Sequence, residues 1–147
     1  MEEEVKILDK SDIEKAILMI YELEVLSGRM CNDKKILNIF KKFVFDFIED
    51  NGSFLGIYKD NELIGISGWK NDYIMFFYIN SKYQRKGYGT ILLNNQIKEL
   101  KKSNYESAYL DAPLESYTFY QKQGFELESV NEKKHYTVHK MKKMIRG

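Results

Sequence analysis

Between Tyr73 and Thr90 the chain reads as an apolar strand, a short basic loop with two glycines, and the start of an amphipathic helix. The first N–H groups of a helix have no intrahelical partners and carry partial positive charge, so they suit a phosphate. Gly87 and Gly89 remove side chains where a ligand would approach, and Arg85 and Lys86 add positive charge at the same point. The segment reads as a pyrophosphate cradle; a βα turn with incidental glycines is the plainer alternative.

The spacing narrows the ligand. A P-loop needs Gly-Lys-Ser/Thr after four residues, and here Gly89 is followed by Thr90 and Ile91. A dinucleotide fingerprint needs a third glycine, and Leu92 stands there. What remains is Gln-x-x-Gly-x-Gly at Gln84, Gly87 and Gly89. Downstream, Tyr109-Leu110-Asp111-Ala112 reads as a short strand. The run from Ser116 to Phe125 then reads as a helix of about two turns stopped by Gly124.

These two segments, in this order, resemble motifs A and B of the GNAT (Gcn5-related) N-acetyltransferase superfamily, the second through its Phe-Tyr-x-x-x-Gly-Phe ending at Phe119, Tyr120, Gly124 and Phe125. The likeness extends more loosely over nearly the whole chain. It implies an α/β fold with a mixed, mostly antiparallel central sheet flanked by helices, as a single domain over residues 1–147. It also implies acetyl transfer from acetyl-CoA to a primary amine by direct attack in a ternary complex.

The element pattern of the chain is compatible. Val5 to Leu8 reads as a first strand. Ser11 and Glu14 suggest a capping box before Ile13, Ala16, Ile17, Ile20 and Tyr21 at helical spacing. A second helix begins near Asn32 or Asp33, with Ile36, Phe40, Phe43 and Phe47 on one face. Strands are expected at Ser53–Lys59, Leu63–Lys70 and Tyr73–Ile79, with turns at Lys59–Glu62 and Lys70–Asp72. A helix from Tyr88 to Lys102 carries Leu92, Leu93, Ile97 and Leu100. Then come a strand at Ala108–Ala112, a helix at Glu115–Gln123, and strands at Phe125–Val130 and His135–Met141.

Composition sets the outer bounds. The chain has 147 residues, 44% of them hydrophobic and 14% aromatic, enough for one substantial core. A net charge of +1 offers no general field for nucleic acid or an anionic membrane. Cys31 is the only cysteine, which excludes an intrachain disulfide and any cysteine-built metal site. No metal is expected. The start Met1-Glu2-Glu3-Glu4 lacks the shape of a secretion signal, and no apolar run reaches the length of a membrane span, so a cytoplasmic protein is expected.

Acyl transfer makes definite chemical demands. A lysine-like amine has a pKa of ~10.4 and must lose a proton before attacking a thioester. The oxyanion needs a donor, and the departing thiolate needs a proton or a hydrogen bond. By the resemblance, the backbone of Phe77, Tyr78 and Ile79 would pair with the pantetheine arm. Gln84, Arg85, Lys86, Gly87, Tyr88, Gly89 and Thr90 would hold the pyrophosphate, with Ser116 near the cofactor arm. Tyr120 falls where the family places its catalytic tyrosine, against the CoA sulfur.

The general base stays open. Tyr73–Ile79 holds no Asp or Glu, although many relatives carry a carboxylate there. Asp72, Asp111, Glu115, His135, His139 and a water relay are the alternatives. The chain also has Ser81 where the family often has Pro, and Glu115 or Ser116 where it often has Asn. The acceptor side is expected at Leu26–Asn32 and Asn131–Lys134, where Arg29, Lys133 and Lys134 would suit an acidic acceptor. A small-molecule or peptide amine acceptor is expected, with aminoglycoside, polyamine, amino acid, peptide N-terminus and protein lysine all open. Dimerisation is a habit of the family that no residue locates. A silent acyl-CoA sensor and a non-enzymatic interaction domain are the competing readings.

Overall fold

The computed structural model describes residues 3–146; Met1, Glu2 and Gly147 lie outside it, and with them part of the acidic start. The element order is β1 (Glu3–Ile7), α1 (Lys10–Leu26), α2 (Lys34–Glu49), β2 (Ser53–Lys59), β3 (Glu62–Lys70), β4 (Tyr73–Ile79), α3 (Tyr88–Lys102), β5 (Ser107–Ala112), α4 (Leu114–Lys122), β6 (Glu126–Glu132) and β7 (Thr137–Met144), with one 3-10 turn at Ser81–Tyr83. This is the order expected from the sequence. The strands form one sheet in the order β1-β2-β3-β4-β5-β7-β6.

All neighbours pair antiparallel except β4 and β5. The β2–β3 turn places Asp60 and Asn61 at φ 51° and 67°, the left-handed pair a tight hairpin requires. Helices α1 and α2 cover one face, where Ile13, Ile17, Ile20 and Val44 pack on Phe54, Ile66 and Phe76. The opposite face packs Leu93, Ile97 and Leu100 of α3 against Ile74, Leu110 and Met141. All four expected apolar residues of α3 are buried, and so are the five named on α1.

Three local expectations are corrected. The cap of α1 is Asp9, whose carboxylate accepts from the N–H of Asp12 at 3.2 Å. Ser11 instead lies inside the helix and donates its hydroxyl proton to Asp9 at 2.5 Å. On α2, Phe40 and Phe47 pack inward with Leu37, Val44 and Ile48, whereas Phe43 is 53% exposed. Positions 36, 40, 43, 47 and positions 37, 40, 44, 47, 48 share one stripe, and the sheet chose the second flank. The last two strands run later than expected, because Gly124 at φ 94° completes the turn out of α4 before pairing begins.

Candidate active site

The sheet opens in its middle. Strand β4 pairs with β3 from Tyr73 to Ile79, but with β5 only at Tyr73–Tyr109 and Ile74–Leu110. At Met75 the β3–β4 register slips, and such a bulge bends the strand. Beyond it, Phe76 to Ile79 run on with no β5 residue beside them. The N–H of Asn80 goes to the carbonyl of Ile64 at 2.8 Å. Peptide groups alternate sides along an extended strand, so those of Phe77 and Ile79 face the gap. An extended ligand arm would find a half-made ladder there.

The glycine loop closes the same end. Asn80 caps the 3-10 turn by accepting from Lys82 N–H at 3.1 Å. Gln84 folds back so that its Nε2 donates to the Ile79 carbonyl at 2.9 Å. Arg85 sits at φ 61° and Gly87 at φ 91°, two left-handed residues that turn the chain into α3. No side chain caps α3, and its first turn holds no acidic residue. Its N-terminal N–H groups therefore stay available to an anion, beside exposed Arg85 and Lys86.

Helix α4 joins this end from the side. A Cβ on Gly89 would lie 3.3 Å from the Phe119 ring, so the glycine lets the two helices approach. Gln123 Nε2 donates to Thr90 Oγ1 at 3.1 Å. Tyr120 is buried, with its ring edge-on to Phe77, Phe119 and Phe125 at 5.9, 5.2 and 5.9 Å between centroids. Burial raises its phenol above the ordinary value. Among the described residues its hydroxyl has no hydrogen-bond partner. Two motifs separated by some thirty residues of sequence thus meet around the gap.

The remaining expected residues divide. Ser116 Oγ turns to its own helix start, the Pro113 carbonyl, at 3.4 Å. The Tyr88 hydroxyl accepts from Lys59 Nζ at 2.8 Å. Among the alternative bases, Asp111 accepts from the Tyr73 hydroxyl, and Asp72 precedes β4 at the end away from the loop. His139 Nδ1 lies 3.2 Å from the Ala112 carbonyl, and His135 is exposed in the β6–β7 turn. Glu115 accepts from Arg29.

Sequence reasoning missed one group. Glu24, in the last turn of α1, accepts from Arg29 Nε at 2.9 Å and from its NH2 at 3.1 Å. Burial raises the phenol of Tyr78, and the Glu24 charge adds to that rise. Arg29 is therefore committed to two carboxylates and is not a free receptor for an acidic acceptor. The Glu24 to Arg29 spacing was visible in the sequence, but nothing there pointed to Tyr78. Leu26 and Asn32 line a shallow hollow beside this group with Tyr21, Glu22 and Val25.

The sequence profile of the Acetyltransferase (GNAT) domain matches residues 29–145. The chain belongs to the GNAT family. This GNAT domain is similar in structure to the PaiA N-acetyltransferase of Thermoplasma acidophilum in complex with coenzyme A, with TM-score 0.77 and 22% identity over 98% of this chain and 99% of that one. A GCN5-related N-acetyltransferase from Rhodopseudomonas palustris also gives TM-score 0.77, at 15% identity over 98% and 96%. A GNAT family acetyltransferase from Elizabethkingia anophelis with acetyl-CoA bound gives 0.70, at 15% identity over 97% of each chain. At such identities the structural likeness speaks for the fold. Among curated proteins, none matches this GNAT domain significantly. Among the described residues, no helix is long and apolar enough to cross a membrane.

Proposed function

We propose that this GNAT domain transfers an acetyl group from acetyl-CoA to a primary amine, with both substrates bound together. The observation that carries the reading is the parting of β4 from β5 after Ile74, at the same end of the sheet as the uncapped start of α3. Acetyl-CoA, when bound, supplies the acetyl group as a thioester. Coenzyme A bound to the Thermoplasma PaiA enzyme and acetyl-CoA bound to the Elizabethkingia acetyltransferase support this choice of cosubstrate.

Each role follows from a local property. The N–H groups at the start of α3, with Arg85 and Lys86, hold the pyrophosphate; Gly87 and Gly89 keep the approach clear. Phe77 and Ile79 offer gap-facing peptide groups to the pantetheine arm, and one N–H there polarises the thioester carbonyl. Tyr120 is protonated at neutral pH as any phenol with a pKa of about 10 is, and burial holds the proton more firmly. Its O–H can donate a hydrogen bond to a departing thiolate, whose ordinary pKa is about 8.5. Gln84 acts indirectly, by pinning the loop to the end of β4.

Thermal melting with acetyl-CoA, CoA and ATP tests the reading. At a hundredfold excess over Kd, binding adds about 2.7 kcal/mol, several degrees for a domain of this size. A shift with both CoA forms and none with ATP is expected. No shift with either CoA form would leave a domain that keeps the fold without the cofactor. A silent acyl-CoA sensor is the second reading, favoured by the lack of any carboxylate in Tyr73–Ile79. Turnover with a simple amine eliminates it.

A further inference from the structure

Gln123 is the cap residue at the end of α4, and its backbone is held from two directions. Its N–H donates to the carbonyls of Phe119 and Tyr120 at 3.2 and 3.0 Å. Lys143 Nζ, from β7, donates to its carbonyl at 2.8 Å. Gly124 makes room for that lysine, because a Cβ there would lie 3.3 Å from Lys143 Cε. The root of Gln123 is therefore fixed to the sheet, and only its amide reaches out. It reaches α3, where Nε2 donates to Thr90 Oγ1 at 3.1 Å, in a half-buried contact between residues 33 positions apart.

That bond gives the Thr90 hydroxyl a defined polarity. A hydroxyl has one proton to give and two lone pairs with which to accept. The Gln123 amide fills a lone pair, and among the described residues no acceptor takes the proton. Thr90 lies in the first turn of α3, where the backbone N–H groups also lack intrahelical acceptors. The free hydroxyl proton and those N–H groups form one set of donors at one place. Gln123 also stands three residues after Tyr120 on α4, so both side chains lie along one side of that helix. The contact with Thr90 thereby ties the helix that carries Tyr120 to the start of α3.

We propose that Gln123 is a positioning residue for the cofactor: its amide turns the Thr90 hydroxyl so that the proton is presented to the pyrophosphate of acetyl-CoA. The inference rests on the acetyltransferase reading above and adds a residue of the second motif that acts on the phosphate site. In Phe119-Tyr120-x-x-x-Gly124-Phe125, Gln123 is one of the positions the motif leaves open, so nothing in the motif assigns it a role.

The test measures acetyl-CoA affinity by calorimetry for the full chain and for Q123L, Q123E, T90V, T90S and the double variant T90V/Q123L, with ligand-free melting temperatures beside it. T90V removes the donor and should weaken binding by about tenfold or more, as loss of a hydrogen bond to a charged group does. T90S keeps the hydroxyl and should bind like the wild type. Q123L frees that hydroxyl to turn and should cost about three- to tenfold. Q123E keeps the shape but can only accept, so it takes the Thr90 proton and should bind acetyl-CoA more weakly than Q123L. A merely structural role gives the opposite order. In the T90V background Q123L should cost nothing further, because its effect passes through the Thr90 hydroxyl. Wild-type affinity in T90V or Q123L, additive losses, or tighter binding by Q123E than by Q123L would overturn the inference. If Q123L melts early, Q123E decides alone: weakened binding supports the inference and wild-type affinity overturns it. Failure of the wild type to bind acetyl-CoA overturns the acetyltransferase reading itself, and this inference with it.

Discussion

Arg29 donates to Glu115 across 86 residues of sequence, and so ties the end of α1 to the first turn of α4. The same guanidinium is clamped at its root by Glu24. The two carboxylates differ in their surroundings: the Glu24 side chain is 12% exposed and that of Glu115 is 63% exposed. That difference sets what each contact is worth.

An exposed ion pair contributes between zero and about 1 kcal/mol and is screened by salt. E115Q should therefore shift a urea midpoint barely at all. R29A leaves the sheltered Glu24 carboxylate without its two donors, and should cost about 1–3 kcal/mol. Equal effects of the two variants would show that the clamp on Glu24 carries no special weight.

Alkaline pH should unfold this domain early. Burial is the first cause that raises the phenols of Tyr58, Tyr73, Tyr78 and Tyr120 above their unfolded value of about 10. A group with a raised folded pKa keeps its proton better in the native state. Its contribution is complete below pH of about 10 and is lost as pH rises towards the folded value. Denaturation midpoints measured from pH 8 to 11 should fall at the upper end, and Y120F should fall less steeply than wild type.

Y120F also separates folding from chemistry. No hydrogen bond among the described residues holds the Tyr120 hydroxyl, so removing it should leave the melting temperature within a degree or two. The acyl-transfer rate should drop by about 10²–10⁴, the range of a lost general acid. Unimpaired turnover in a folded Y120F would remove Tyr120 from the mechanism.

The two loop glycines should respond differently to alanine. Gly87 lies at φ 91° with open space around its missing side chain, so G87A meets backbone strain of about 1 kcal/mol or more. Gly89 has ordinary backbone, and its new methyl would press on Phe119 at 3.3 Å. G89A should cost little stability yet push α4 away from α3. Acetyl-CoA titration of both variants checks whether each weakens the phosphate site.

One buried polar pair can be improved. Ser67 donates to Gln96 Oε1 at 2.5 Å in the core between β3 and α3, while Gln96 Nε2 has no partner. Replacing both ends with apolar groups removes an unsatisfied donor, so S67A/Q96L should melt at or above the wild-type temperature. Q96L alone strands the Ser67 hydroxyl and should melt lower than the double variant.

The parts legible in sequence were those whose cause is local. Helix α3 runs from Tyr88 to Lys102 as expected, because Gly87 marks its start and four apolar residues repeat at 3.6 spacing. Strands β2 and β4 also have the expected bounds, set by polar turn residues on either side. Where two local readings competed, the tertiary structure chose. The sequence pointed to Ser11 as the cap of α1, and the extended backbone at Asp9 gave the cap to Asp9 instead. On α2, Phe43 and Val44 lie on adjacent flanks of one stripe, and packing with α1 and the sheet buried Val44.

From its own residues the chain determined a phosphate-suited helix start, a second motif ending in Phe119-Tyr120, and one apolar face on each of its long helices. Each of these is written in neighbours fewer than ten positions apart, where backbone propensity and side-chain spacing act directly. The parting of β4 from β5 and the reach of Arg29 to Glu115 were decided only by the folded sheet. The Arg29–Glu115 contact joins residues 86 positions apart. The geometry of both depends on how far twisted strands diverge, which no short stretch of sequence encodes.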